Sequence, residues 1–460
     1  MFFIFSYMKK NFEIDISHKP TYLEIKTRLS CFEVFKKIEA HFTDCFLFES
    51  LGSSQNNNNR YSLIGFKPDY VIKAKNNILN IDATKTKVKN PYESLAKLMP
   101  NPILTQEFAG GLIGYMSYEA ANYFEPPLKL KIHPDFDQFC FGVFTDGLVF
   151  DNLTGKTSYF YYKKSRINII EKILKSNTKN SQPPKITKMG QSMSKEEHAK
   201  TVRQVLKQIR AGNTFQCEVG LKVGYKVLGS LILVYESLRQ INPSPYMYFL
   251  KFGKQTIIGS SPELLFSLKQ KLMSTYPLAG TIRRGKQEQE DKTLAKKLLD
   301  DPKEQAEHKM LVDLHRNDLG RVAKFGTVNV SRFMDIKKFS HVQHISSEIT
   351  GIISNSQNAF SALASCFPAG TLSGAPKYES MEIINRNEKE ARGPYGGALG
   401  FFGFNGDCEF AIPIRSLFAS GEKAYAQACG GVVYDSTPKK EYEEVMLKLK
   451  ALDIVLEDFA

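Results

Sequence analysis

An α+β protein built mostly from antiparallel sheet is what this sequence predicts, and three observations carry the prediction. Short β-type runs fill the first third of the chain, Tyr70-Val71-Ile72 and Phe141-Gly142-Val143-Phe144 among them. A turn signal, Asp151-Asn152-Leu153-Thr154-Gly155, separates Leu148-Val149-Phe150 from Ser158-Tyr159-Phe160-Tyr161. So short a connection joins antiparallel strands, because parallel ones need a long crossover. After the proline pair Pro183-Pro184 the apolar pattern turns helical, with strand-like runs left between the helices.

The elements follow in order. The polar stretch Asn177-Thr178-Lys179-Asn180-Ser181-Gln182-Pro183-Pro184 reads as a linker. It divides the chain into an N-terminal region 15–170, a linker 177–193 and a C-terminal region 194–456. Ser194 with Glu197 forms a capping box, and Val202, Val205, Leu206 and Ile209 recur at helical spacing until Gly212 stops the run. Asp301-Pro302 opens a second helix bearing Glu304, Glu307, His308 and Leu311, with proline where its missing N–H costs nothing. A last helix starts near Pro438 and carries Glu441, Glu444, Leu447 and Lys448. Strand-like runs at 246–249, 256–258 and 411–414 lie between helices, and no internal repeat is present.

Composition excludes several classes. A chain of 460 residues is long for one core, which favours two lobes or one large composite domain. No run of about 18 apolar residues exists, so no membrane span is expected. The apolar opening Met1 to Phe5 precedes Lys9 and Lys10, the reverse of a secretory signal, and Met8 is an alternative start. A cytoplasmic protein is expected. Seven cysteines stand singly, with no C-x-x-C pair, which argues against a zinc cage or a disulfide framework. The net charge of +14 raises nucleic acid as a partner. The lysines are spread along the chain, however, and neither zinc-finger spacing nor an RNP-like aromatic signature occurs, so no nucleic acid is expected. The tract Gln55-Asn56-Asn57-Asn58-Asn59 reads as compositional habit.

Four segments carry the chemistry. They are Ser261-Pro262-Glu263; Pro277-Leu278-Ala279-Gly280-Thr281-Ile282-Arg283-Arg284-Gly285; the stretch from Glu307 to Asp318; and Gly370-Thr371-Leu372-Ser373-Gly374-Ala375-Pro376-Lys377. Glu441 and Glu444 share one helix face, and two such charges repel unless a cation faces them. Lys448 supplies part of that charge, and a hard divalent ion suits carboxylates that lack His or Cys companions. Taken alone the pair is the solvated face of a helix. The glycine-rich segment offers backbone N–H groups to a carboxylate, although its spacing is not that of a P-loop and alone it is a turn. His344, one of eight histidines, is by itself an ordinary structural side chain.

Together and in this order, the four segments resemble the chorismate-utilising enzymes, the family of the anthranilate, aminodeoxychorismate, isochorismate and salicylate synthases. The resemblance runs from about Ser194 to the C-terminus and more loosely over 20–165. It implies a large α/β sandwich in which sheets from both sequence regions pack together, and it makes 194–456 the chorismate-binding catalytic domain. It also implies Mg²⁺, with Glu307 and Glu444 matching its ligands and Glu441 a supporting acid. Arg415 and Lys448 match the cations that hold the enolpyruvyl carboxylate. Glu263 matches the acid that helps the 4-hydroxyl leave, and His344 the histidine tied to pyruvate elimination. Thr281 and Thr371 match pocket hydroxyls, and Gly374, Gly430 and Gly431 match the substrate wall. Chorismate is a dianion, so cations at both ends make physical sense.

Two positions separate the members. Gln216 stands where water-using members carry a lysine base, and Ala279 where aminodeoxychorismate synthases usually carry lysine. Together they imply amination of chorismate at C2 followed by loss of pyruvate; the siblings that stop before elimination are the alternatives. Leu47-Phe48-Glu49-Ser50 and Asn242-Pro243-Ser244-Pro245-Tyr246-Met247-Tyr248 resemble the two walls of a feedback site for L-tryptophan, with Ser50, Pro245, Tyr246 and Met247 its expected contacts. No cysteine sits in a G-x-C-x-G nucleophile elbow, so ammonia is expected from solution or from a glutamine amidotransferase subunit, in a heterotetramer. Two departures stand out: Cys429 in Ala428-Cys429-Gly430-Gly431, where A-G-A-G is usual, and Phe401 at a position commonly tyrosine.

Overall fold

The computed structural model describes residues 12, 14–16, 18–51, 60–177, 182–339 and 342–460. Met1, Met8, the asparagine run 56–59 and the centre of the polar seam, 178–181, lie outside the described residues.

Side-chain alternation explains the layering. On the strand Cys45–Glu49, Phe46 and Phe48 belong to one apolar cluster and Cys45 and Leu47 to another. On Tyr246–Phe252, Tyr248, Leu250 and Phe252 join the first cluster, Met247 and Phe249 the second. A strand with both faces apolar is buried on both sides. One face meets a second sheet, seen in the edge contact of Phe46 with Phe144 (4.9 Å between centroids) and in Tyr115, whose hydroxyl donates to Gln255 Oε1 at 2.9 Å. The other face meets the helices Cys31–Glu39, Ile167–Lys175, Ile232–Ile241 and Pro438–Glu457 through Phe35, Ile170, Val234, Val445 and Leu449.

Among the described residues there are two twelve-stranded sheets, and their pairings are antiparallel. Both are composite. In the first, N-terminal strands end at Cys45–Glu49, which pairs with Tyr246–Phe252; beyond it lie Gln255–Ser261, Ser416–Ser420, Lys423–Val432, Gln216–Leu228 and Lys185–Gln191. In the second, Gly111–Met116 from the N-terminal region pairs with Ala398–Gly403 from the C-terminal region. The α+β sandwich with both regions packed together is as expected.

Local signals are borne out where they were strong. Ser194 and Glu197 close a capping box on Lys195–Arg210, and the Asp301 side chain caps Pro302–Gly320 by accepting from the N–H groups of Lys303 and Glu304. Two readings need correction. The expected linker 177–193 contains the strand Lys185–Gln191, which pairs with Gln216–Leu228. The strand-like run 411–414 leaves the sheet after Ala411, because Pro413 has no N–H to offer a ladder.

Candidate active site

The site is assembled where strand Lys423–Val432 runs beside strand Gln216–Leu228 and under helix Pro438–Glu457. Small residues make the approach possible. A Cβ on Gly430 would sit 2.9 Å from Glu441 Oε2, and one on Gly431 would sit 2.5 Å from Glu218 Oε1 and 2.6 Å from Gln216 Nε2. Gly374, at φ +132, lies against the Gln216 carbonyl, which a Cβ would meet at 2.1 Å. Here glycine is required both for its conformation and for the space it leaves.

That space is filled by acids and one amide. Gln216, 2% exposed, donates from Nε2 to Glu307 Oε1 at 3.2 Å and to Glu218 Oε1 at 3.3 Å. Cys429 donates its thiol to Glu218 Oε2 at 3.2 Å and accepts from the Tyr395 hydroxyl at 3.1 Å. Lys448 pairs with Glu444 at 2.8 Å, one helical turn away, and donates to the Cys429 carbonyl at 2.9 Å. Burial lifts the carboxyl of Glu218 to about 7, with Lys448 and the Cys429 thiol pulling the other way.

The acids expected to hold a metal are close enough to perturb one another. Burial raises Glu307, with Lys303 opposing and Glu444 adding to the rise. Burial also raises Glu441; the Ser436 hydrogen bond opposes and Glu444 again adds. Glu441 Oε2 is buried without a partner. Charge and donor type therefore suit a hard divalent cation. A preassembled three-ligand cage is not what the structure has: among the described residues no three His, Cys, Asp or Glu side chains converge on one point. Of the expected trio Glu307, Glu441 and Glu444, the last is paired with Lys448. One or two protein carboxylates, with the remaining positions left to substrate and water, is the usual manner of binding Mg²⁺.

Across from these acids, Glu263 follows the strand Gln255–Ser261 and is 5% exposed. Burial lifts it to about 7, opposed by the hydrogen bond it accepts from the Thr371 hydroxyl at 2.9 Å and by Arg415 and Lys448. Near neutral pH a substantial fraction of it therefore holds a proton. His344 is opposite in character. Burial lowers it to about 4, Arg415 adds to the fall, and so it is neutral. Its Nδ1 lies 2.7 Å from the Gly280 carbonyl and 3.2 Å from Thr281 Oγ1. A carbonyl only accepts, so Nδ1 carries the proton and the buried, unpartnered Nε2 carries the lone pair. Arg415 and Lys448 act on both groups, and an acid and a base with displaced values so placed make a candidate reaction site.

The expected tryptophan walls are also brought together. Met247 faces Glu49 in the ladder, and Leu51 N–H donates to the Ser244 carbonyl at 2.9 Å. Ser50 Oγ is buried without a partner. Tyr246 in turn faces Ser261, two residues before Glu263. One ladder thus links this segment to the strand that leads to Glu263.

The comparisons decide the family. A family model described as chorismate binding enzyme matches residues 43–453. The chain belongs to the chorismate-binding enzyme family. It is 50% identical over 455 residues to a protein of Leptospira biflexa named anthranilate synthase component 1, covering 96% of this chain and 98% of that one. To the protein of the same name from Methanothermobacter thermautotrophicus it is 41% identical over 437 residues, 93% of each chain. The crystal structure of anthranilate synthase component I from Streptococcus pneumoniae TIGR4 superposes with a TM-score of 0.78 at 31% identity, covering 92% of this chain and 97% of that one.

Sequence reasoning within the chorismate-binding family missed Glu218. The signal was present: an acid inside the apolar run Cys217-Glu218-Val219 must be paired or neutral. The Cys429 departure is its counterpart, since the thiol supplies one of the carboxyl's hydrogen bonds. Phe401 packs edge-on against Phe108 at 5.3 Å. Lys377, from the glycine-rich segment, is structural: it pairs with Asp318 at 2.6 Å and donates to the Cys366 carbonyl at 2.9 Å. No helix among the described residues is long and apolar enough to cross a membrane.

Proposed function

We propose that this chain is the chorismate-processing component of anthranilate synthase, a lyase that converts chorismate and ammonia to anthranilate, pyruvate and water. The observation that carries this reading is the likeness over nearly the full length of the chain to proteins of that name. Gln216 agrees with it: a neutral buried amide cannot deprotonate water, whereas ammonia arrives already nucleophilic.

Glu307 and Glu444, with Glu441 in support, would hold Mg²⁺. The ion would neutralise the ring carboxylate while charge develops next to it. Arg415 and Lys448 neutralise the enolpyruvyl carboxylate, and Gly430 and Gly431, whose bare backbone makes way for Glu441, Glu218 and Gln216, form the substrate wall. Glu263, protonated and oriented by Thr371, delivers its proton to the 4-hydroxyl as the bond to C4 breaks, so that water leaves in place of hydroxide. Ammonia bonds to C2 as the two ring double bonds shift toward C4, and the new ammonium gives up one proton, replacing the one Glu263 delivered. In the second stage His344 Nε2 takes the C2 proton, the C3–O bond breaks, and enolpyruvate leaves and becomes pyruvate.

Glutamine would serve as nitrogen source only through a separate amidotransferase subunit, in a heterotetramer. L-Tryptophan would bind at Ser50, Pro245, Tyr246 and Met247 and inhibit. Product analysis tests the reading: anthranilate is expected, and a main product of isochorismate, 4-amino-4-deoxychorismate or unconverted aminodeoxyisochorismate contradicts it.

A further inference from the structure

Gln216 has both amide hydrogens committed. They go to two carboxylates on different elements, Glu307 on helix Pro302–Gly320 and Glu218 two residues along its own strand. With both acids ionised, and so acceptors only, turning the amide over would set its carbonyl oxygen against two carboxylate oxygens. The orientation is therefore fixed, and Oε1 is left buried and without a partner in a side chain that is 2% exposed. Glu218 is itself held at its other oxygen by the chain Tyr395 hydroxyl, Cys429 thiol, Glu218 Oε2. The bare backbone at Gly431 leaves the space that Glu218 and Gln216 occupy.

The orientation matters for an incoming ammonia molecule. An amide oxygen accepts one N–H of ammonia and leaves its lone pair free to attack carbon. An amide NH₂ in the same place would donate to that lone pair and blunt it. We infer that Glu218 is a positioning residue for the nucleophile, fixing Gln216 so that its oxygen is the atom presented to ammonia; this rests on the reading of the chain as an ammonia-using chorismate enzyme. Cys429 and Tyr395 form the layer behind it. Glu307 shares the task but is also assigned to the metal, so Glu218 is the partner that can be altered alone.

The test uses the purified chain with ammonium chloride and saturating chorismate and Mg²⁺. Glu218→Met keeps the volume but removes the acceptor, while Glu218→Gln keeps one acceptor oxygen. Glu218→Met is expected to raise the KM for ammonia roughly fivefold, the scale of one lost hydrogen bond, with the KM for chorismate within about twofold of wild type. Glu218→Gln is expected to restore most of the loss. In a Gln216→Ala background, Glu218→Met is expected to add nothing, since the two act as one unit. Should Glu218→Met not fold, Glu218→Ala takes its place in each comparison. An unchanged ammonia KM, a chorismate KM that rises in step, or additive effects in the double variant would overturn the inference. A wild-type chain that makes no anthranilate from ammonium overturns the underlying reading instead.

Discussion

The Thr371 hydroxyl donates a 2.9 Å hydrogen bond to Oε1 of Glu263, tying the glycine-rich segment to an acid 108 residues earlier. The bond accepts either protonation state of the carboxyl, so it orients Glu263 without discharging it. Burial does the rest and lifts the group to about 7.

A pH profile follows from that lift. An acid that must hold its proton loses it as pH rises, so kcat/KM for chorismate at saturating ammonia is expected to fall above about pH 7. Glu263→Gln is expected to lower kcat by roughly 10²- to 10⁴-fold, the usual scale of general acid catalysis, and to flatten that limb. The stability sign is also set. The folded value lies above the unfolded value of about 4.3, so the contribution of Glu263 is greatest below about pH 4 and declines until about pH 7. Glu263→Gln is expected to reduce this loss in thermal melts across that window.

Metal dependence has a readout besides turnover. If the acids at 307, 441 and 444 hold Mg²⁺, the ion binds the folded state alone and raises Tm with concentration. Glu307→Gln is expected to abolish both that rise and the activity while leaving the metal-free fold intact. Glu441→Gln removes a buried acid that Glu444 repels and is expected to raise Tm in EDTA. Full activity in excess EDTA would contradict the assignment.

His344→Ala or His344→Met is expected to slow pyruvate release more than amination, so that aminodeoxyisochorismate accumulates. The reason is positional: Nδ1–H is spent on Gly280, which leaves Nε2 as the base. An unchanged ratio of intermediate to anthranilate would make His344 a structural residue.

Feedback is tested at Ser50. Its hydroxyl is buried and unpartnered beside the joined walls 47–50 and 242–248, and the ladder from Met247 and Tyr246 to Ser260 and Ser261 leads on to Glu263. Tryptophan is expected to inhibit, and Ser50→Phe to relieve the inhibition while sparing the rate at saturating chorismate. Linkage requires tryptophan and chorismate to weaken each other by one factor; a wild-type rate indifferent to tryptophan would remove the site.

What the sequence made legible was local. Capping at Ser194 and Asp301 is settled within four residues, and those helix starts are where the spacing put them. The sheet order was not legible, because Cys45–Glu49 pairs with nearby Tyr61–Phe66 on one side but finds its other partner some two hundred residues later, and the composite sheets follow from packing both faces. The same distance hid Glu218. Its hydrogen-bond partner Cys429 is far along the chain, and only the register Val219 to Gly430 sets the two side by side. The edge strand Lys185–Gln191 was missed because most of its residues are exposed and polar, which erases the alternation that marks a half-buried strand.

The central claim is that one chain carries out both amination and elimination. Incubating it with chorismate, ammonium chloride at alkaline pH and Mg²⁺, while measuring anthranilate fluorescence and pyruvate together, tests this directly. Equal amounts of anthranilate and pyruvate, with none of either when glutamine replaces ammonium in the absence of an amidotransferase, is the predicted result. Chorismate consumed without pyruvate, or pyruvate formed without anthranilate, would contradict it.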